Sequence, residues 1–163
     1  MTRPASLVVV VGTATDIGKT WVTAELVSAL RQQGATAVAR KPVQSYDEAA
    51  SAPTDADVLA AAGDEQPHDV CPPDWWYGVA MAPPMAADAL GAQPPLLDDL
   101  LADIAWPEPA PALGFVEGVG GVCSPVADDA NNCDLARALR PDRAILVGHA
   151  GLGTIDSVRL SAG

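Results

Sequence analysis

Basic residues are scarce: nine Lys and Arg stand against 21 Asp and Glu, for a formal net charge of −12. A general nucleic-acid surface needs clustered Lys and Arg to meet the phosphates, so that class of partner is excluded. The same shortage argues against an anionic membrane surface. The three cysteines Cys71, Cys123 and Cys133 form no CxxC and are odd in number. They exclude a disulfide framework and a zinc-ligand pattern, and they fit a reducing cytoplasm. Long apolar runs are missing. Val8 to Val11 is too short to span a bilayer and ends at Gly12. No small-residue cleavage site follows it, so no leader peptide is expected. His68 and His149 have no partners at metal-ligand spacing and read as surface or loop residues.

What is present is a globular composition. Hydrophobic residues make up 49% of 163, enough for one domain with a core. The expectation is a single domain over residues 1–163. Leu7 to Val11 is a continuous β-branched run, the pattern of a buried parallel strand. Val22, Leu26, Ala29 and Leu30 then recur at helical spacing, with Gly34 as the expected stop. Thr36 to Ala39 reads as a second strand. Asp55 to Ala62 reads as a short helix, capped by Thr54 and ended by Gly63. Pro67 to Pro84 holds five prolines and three aromatics and reads as irregular loop. Met85 to Leu90 gives one or two helical turns, and Leu96 to Ile104 an amphipathic helix. Ala112 to Val116 is a third strand, running into Glu117 and a Gly-rich turn. A helix over Asp134 to Leu139, with Asn131 or Asn132 as its cap, a strand over Arg143 to Val147 and a helix from Thr154 follow. Alternating strands and helices predict an α/β fold with a mainly parallel sheet.

The chemistry lies between the first strand and the first helix. Gly12-Thr13-Ala14-Thr15-Asp16-Ile17-Gly18-Lys19-Thr20 is a phosphate-binding loop. Backbone N–H groups of such a loop converge on a polyphosphate beside a helix N-terminus. Its Lys neutralises the β- and γ-phosphates, and its Thr hydroxyl ligates Mg²⁺. The expected ligand is ATP with Mg²⁺. The usual spacing puts four residues between the first Gly and Gly-Lys-Thr; here there are five. Glu117, after an apolar strand, is a candidate metal acid, as are Asp55 and Asp57 at a helix start. Lys41, at the end of the second strand, is placed to reach the same crevice.

With the loop, Lys41-Pro42-Val43-Gln44-Ser45, Thr54-Asp55-Ala56 and Val116-Glu117-Gly118-Val119-Gly120-Gly121 resemble dethiobiotin synthetase, in that order. The five-residue spacing is that family's form. Weaker matches are Ala82-Pro83 followed by Ala86-Ala87, and Leu152-Gly153-Thr154-Ile155. The resemblance implies a P-loop NTPase-like three-layer fold. It implies an ATP-dependent cyclo-ligase that makes dethiobiotin from diaminopelargonate and CO₂ through a carbamic-phosphoric anhydride. Under it, residues 13–20 (Thr13, Ala14, Thr15, Asp16, Ile17, Gly18, Lys19 and Thr20), Asp55 and Glu117 bind ATP. Thr20, Asp55 and Glu117 hold Mg²⁺. Lys19, Lys41, Thr15 and Asp16 are catalytic, and Lys41, Ser45, Val119 and Gly120 meet the substrate. It also implies a cytoplasmic homodimer whose Leu152 to Asp156 segment reaches the partner's site. Three departures stand out. Asp16 replaces a Glu. Asp156 and Ser157 stand where the family has Asn and often His. The family also continues through further C-terminal strands and helices, which the domain expected here lacks.

Other P-loop readings are weaker. A partitioning ATPase carries an extra Lys near the loop start, where Thr13 and Ala14 stand. A corrinoid-amidating synthase needs a glutaminase domain. A non-catalytic nucleotide-binding remnant is the remaining alternative. Trp75-Trp76-Tyr77 is expected to pack over a core edge rather than wall a pocket, and Cys123 to be inert, with no adjacent base.

Overall fold

The computed structural model describes residues 3–162. Its elements, in order, are β1 (Ser6–Gly12), α1 (Lys19–Gln32), β2 (Ala37–Arg40), β3 (Gln44–Ser45), α2 (Asp55–Gly63), α3 (Pro67–Val70), β4 (Trp76–Tyr77), α4 (Pro83–Ala89) and α5 (Leu97–Asp103). They continue with β5 (Leu113–Gly121), β6 (Pro125–Ala127), β7 (Ala130–Asn131), α6 (Asn132–Leu139), β8 (Arg143–Val147) and α7 (Thr154–Ala162). The central sheet has the order β2-β5-β1-β8, and every pairing in it is parallel. This is the α/β, P-loop-like architecture expected from the sequence.

Alternation along β1 explains why helices cover both faces. Val8 and Val10 point to one layer, with Val27 of α1, Leu59 of α2 and Phe115. Leu7 and Val9 point to the other, with Ile104 and Val116. A strand buried on both faces has to read as a continuous apolar run, as Leu7 to Val11 does. All phosphate-loop residues leave from the carboxyl end of β1, where parallel sheets of this kind present ligands.

Most boundaries agree with the sequence reading to within a residue or two. Gly34 closes α1 at φ 85°. Four differences are informative. Asp64, not Gly63, ends α2: Gly63 is the last helical residue, and Asp64 takes the left-handed conformation at φ 55°. Short polar side chains tolerate that region. Residues 67–84 are not irregular throughout. Pro67 opens α3, Pro73 opens a 3₁₀ turn, and Trp76–Tyr77 pairs in parallel with Gln44–Ser45. Proline suits the first position of a helical turn, so this spacing marks turn starts. The third strand does not stop at Val116; it continues to Gly121, which pairs with Gly12. Finally, the hairpin of β6 and β7 had no signature in the sequence reading. No described helix is long and apolar enough to cross a membrane.

Candidate active site

Gly18 is the N-cap of α1 and stands at φ 92°. That left-handed backbone is strained for any residue with a Cβ, so glycine here is a geometric requirement. The loop arches over the start of α1, and Asp16 also takes a positive φ of 54°. Lys19, the first residue of α1, is folded back: its Nζ donates to the carbonyls of Ala14 (3.3 Å) and Gly120 (2.9 Å). Burial, and then the charge of Lys41, hold its ammonium below the ordinary lysine value. An anion bound there would favour the charged ammonium against both effects. Thr13 plays a different part: its N–H donates to Val147 O at 2.9 Å, which ties the foot of the loop to β8.

Three further elements deliver charge to the same place. Lys41 follows β2 and is 2% exposed. Its Nζ lies 2.5 Å from Asp55 Oδ2 and 2.8 Å from Glu117 Oε1. Burial opposes its charge, but the carboxylates of Glu117 and Asp55 outweigh that and raise its pKa. Burial likewise opposes the Asp55 carboxylate, yet Lys41, with help from Thr20 and Lys19, holds it below the ordinary aspartate value. Asp55 is fixed by the start of α2. Thr54 and Asp57 form a capping box, and the Ala56 N–H donates to the buried Gln44 side chain at 3.0 Å. The two acids that open this helix therefore divide: Asp57 caps, and Asp55 faces the site.

Glu117 is fully buried within β5, beneath the cleft. Thr20 Oγ1 stands 2.9 Å from Asp55 Oδ1 and 2.7 Å from Glu117 Oε1. One hydroxyl proton serves only one of these oxygens at a time. Glu117 Oε2 is buried with no hydrogen-bond partner. The cluster is thus oxygen-rich and short of protons, with one carboxylate oxygen unpartnered, which fits a hard divalent cation. Among the described residues no three His, Cys, Asp or Glu gather into a metal cluster. Two carboxylates and a hydroxyl suit Mg²⁺, which keeps waters and shares phosphate oxygens rather than filling an all-protein cage.

A cleft of about 800 Å³ opens above these groups. Its wall includes Thr15 to Thr20, Lys41, Ser45, Asp55, Val119 and Gly120. The expected ATP, metal and substrate residues thus converge, with Thr13 and Ala14 at the loop's base and Glu117 below the floor. The rest of the lining was not foreseen: Tyr46, Asp47, Pro53, Met81 and Ser124. Tyr46 follows Ser45 directly, and it is held edge-on by Trp76 with ring centroids 6.1 Å apart. The Trp75-Trp76-Tyr77 run packs against the core. Trp75 donates to Asp103, and Trp76 donates to the Cys71 carbonyl. His68 is exposed against the Trp76 ring, and His149 is exposed on its loop.

A family model described as an AAA domain matches residues 6–163. The ATP-dependent dethiobiotin synthetase BioD of Anaeromyxobacter sp. (strain Fw109-5) is 38% identical over 157 residues, 93% of this chain and 67% of that protein. The protein of the same name from Mycobacterium sp. (strain JLS) is 34% identical over 96% of this chain and 68% of its own. That from Caulobacter sp. (strain K31) is 39% identical over 91% of this chain and 65% of its own. This chain spans about two thirds of the length of these relatives. Motif order, site geometry and similarity agree, and the chain belongs to the dethiobiotin synthetase family.

Proposed function

We propose that this chain forms the ureido ring of dethiobiotin from diaminopelargonate, CO₂ and ATP. One observation carries the reading: Lys19, Thr20, Lys41, Asp55 and Glu117, from four separate elements, meet under one cleft at the carboxyl end of the sheet. That set suits transfer of a γ-phosphoryl group to a carbamate, where the work is positioning and charge neutralisation. The relatives' printed name supports the same reaction.

In this reading one amine of the diamine takes up CO₂ as a carbamate. The carbamate oxygen attacks the γ-phosphorus, ADP leaves, and a carbamic-phosphoric anhydride forms. The second amine attacks the carbamate carbon, the ring closes and phosphate leaves. Lys19 holds the phosphates, whose charge would offset the burial and the Lys41 repulsion that lower its pKa. Lys41 stands where charge develops on the carbamate and phosphoryl oxygens, and the two carboxylates keep it protonated. Thr15 and Asp16 line the γ-phosphate side, and Ser45, Val119 and Gly120 the diamine side. Thr20, Asp55 and Glu117 would hold Mg²⁺, which supplies charge neutralisation at the phosphate oxygens.

Residues 1–163 form one P-loop domain in this proposal, acting in the cytoplasm as a homodimer. Leu152 and Ile155, 108% and 74% exposed near the cleft end of β8, support the dimer. The test is phosphate release by the purified chain with Mg·ATP, diaminopelargonate and bicarbonate. Turnover that needs both added substrates is expected; ATP hydrolysis indifferent to them would reject the assignment.

A further inference from the structure

Asn132 is 2% exposed, yet helix α6 does not use its side chain as a cap. Asn131 does that, accepting from the N–H groups of Cys133 and Asp134. The Asn132 amide turns back onto β5 instead. Its Nδ2 donates to the carbonyls of Val119 (2.5 Å), Gly121 (2.7 Å) and Ser124 (3.4 Å). Its Oδ1 accepts from the Val119 N–H at 3.2 Å. Only an amide offers both donors and an acceptor on one short side chain. Gly118 makes room for it: a Cβ there would lie 2.3 Å from Asn132 Oδ1.

The clamped segment carries Gly120. Its neighbours' carbonyls on either side are held by Asn132, while its own carbonyl accepts from Lys19 Nζ at 2.9 Å. We propose that Asn132 is a positioning residue that aims the Gly120 carbonyl at Lys19, and so fixes the phosphate-binding ammonium against the substrate wall. Its kinetic consequence rests on the reaction proposed above.

The test uses Asn132→Asp, which keeps the shape but sets a carboxylate oxygen against three carbonyls. Asn132→Ala takes its place should that variant fold poorly. The first readout needs no substrate. Protein without nucleotide is pulsed with acetic anhydride, and modification is read by peptide mass spectrometry. Lys19 labelling is expected to rise between about tenfold and a hundredfold, as for loss of one hydrogen bond from a charged group. The extent is normalised to the same protein labelled in denaturant, because Lys41 is buried and ion-paired and takes up little reagent. In turnover, kcat falls between about tenfold and a hundredfold, while Mg·ADP affinity stays within about twofold of the parent chain. Gly118→Ala copies the effect, but far less in the Asn132→Ala background, where the clash is gone. A merely structural Asn132 would lower the folded fraction and leave Lys19 labelling and kcat per folded molecule unchanged; that result overturns the inference. If the parent chain fails to turn over the diamine, the proposed reaction falls, and the labelling arm still decides the role of Asn132.

Discussion

Lys41 is the residue whose loss the structure makes most legible. Its ammonium is buried between two carboxylates, one of them, Glu117, with no exposure at all. Lys41→Met keeps the apolar stem and removes the charge. Glu117 is then a buried carboxylate without its ion-pair partner, with Lys19 acting on it only from further off. Breaking a buried pair from one side costs about 3–5 kcal/mol. Asp55 has a 43% exposed side chain and can turn to water, which places this case near the lower end, at about 3 kcal/mol. For a chain of this size that is a fall in melting temperature of roughly 6–12 °C. The assay is thermal unfolding by circular dichroism without nucleotide or metal. Two companions sharpen it. Lys41→Met with Glu117→Gln removes both charges and should recover much of the loss, because a neutral pair is tolerated where a lone charge is not. Added Mg²⁺ should raise the melting temperature of Lys41→Met more than that of the parent, by supplying the missing charge to the folded state. A Lys41→Met protein melting within about 2 °C of the parent, or a double variant less stable than the single, would refute the account.

Other expectations rest on the same geometry. Lys19→Met should abolish turnover while leaving melting unchanged or slightly raised, because burial already disfavours that charge; a large fall in stability would contradict this. Asp55 has its pKa lowered on folding, so the folded chain releases the proton more readily and the contribution to stability is present above the unfolded value of 3.8. It is lost as pH falls through the lower folded value. Asp55→Asn should therefore flatten the acid limb of a urea-stability profile below 3.8, and an unchanged limb would count against the ion pair. The thiols should separate under a chromogenic disulfide reagent. Cys123, expected to be inert for want of a neighbouring base, is exposed and so reacts first. Cys133, its pKa raised by burial and by Cys123, reacts slowly, and Cys71, pushed up to about 12 by burial, reacts only on unfolding. Three thiols reacting at one rate in native protein would show the burial to be wrong.

The sheet was legible because each of its strands carries a short apolar stretch, a pattern that survives any register. The phosphate loop was legible because its chemistry is local: nine consecutive residues carry it. Glu117 could be named a strand-end acid, but its depth could not. Only pairing with β1 extends β5 past the apolar residues and buries the carboxylate. The rest of the cleft lining stayed hidden for another reason. Tyr46 and Met81 are brought together by a two-residue parallel pairing between β3 and β4, too short to leave a periodicity. Asn132 shows the limit most clearly. In sequence it is interchangeable with Asn131 as a helix cap, and only the fold reveals that one caps while the other braces the strand.

The course of β5 has a consequence for how such a chain can vary. Phe115 faces the layer under α1 and α2, Val116 faces the opposite layer, and Glu117 returns to the first beside Thr20 and Lys41. An insertion or deletion of one residue would turn the carboxylate into the layer of Leu7 and Val9 and present a valine or glycine to the ammonium. Folding and phosphoryl chemistry are written on one strand and fail together. The wall built from Tyr46, Asp47 and Met81 carries no such double duty. Changes of substrate within this architecture can therefore accumulate on that side, while the strand stays fixed.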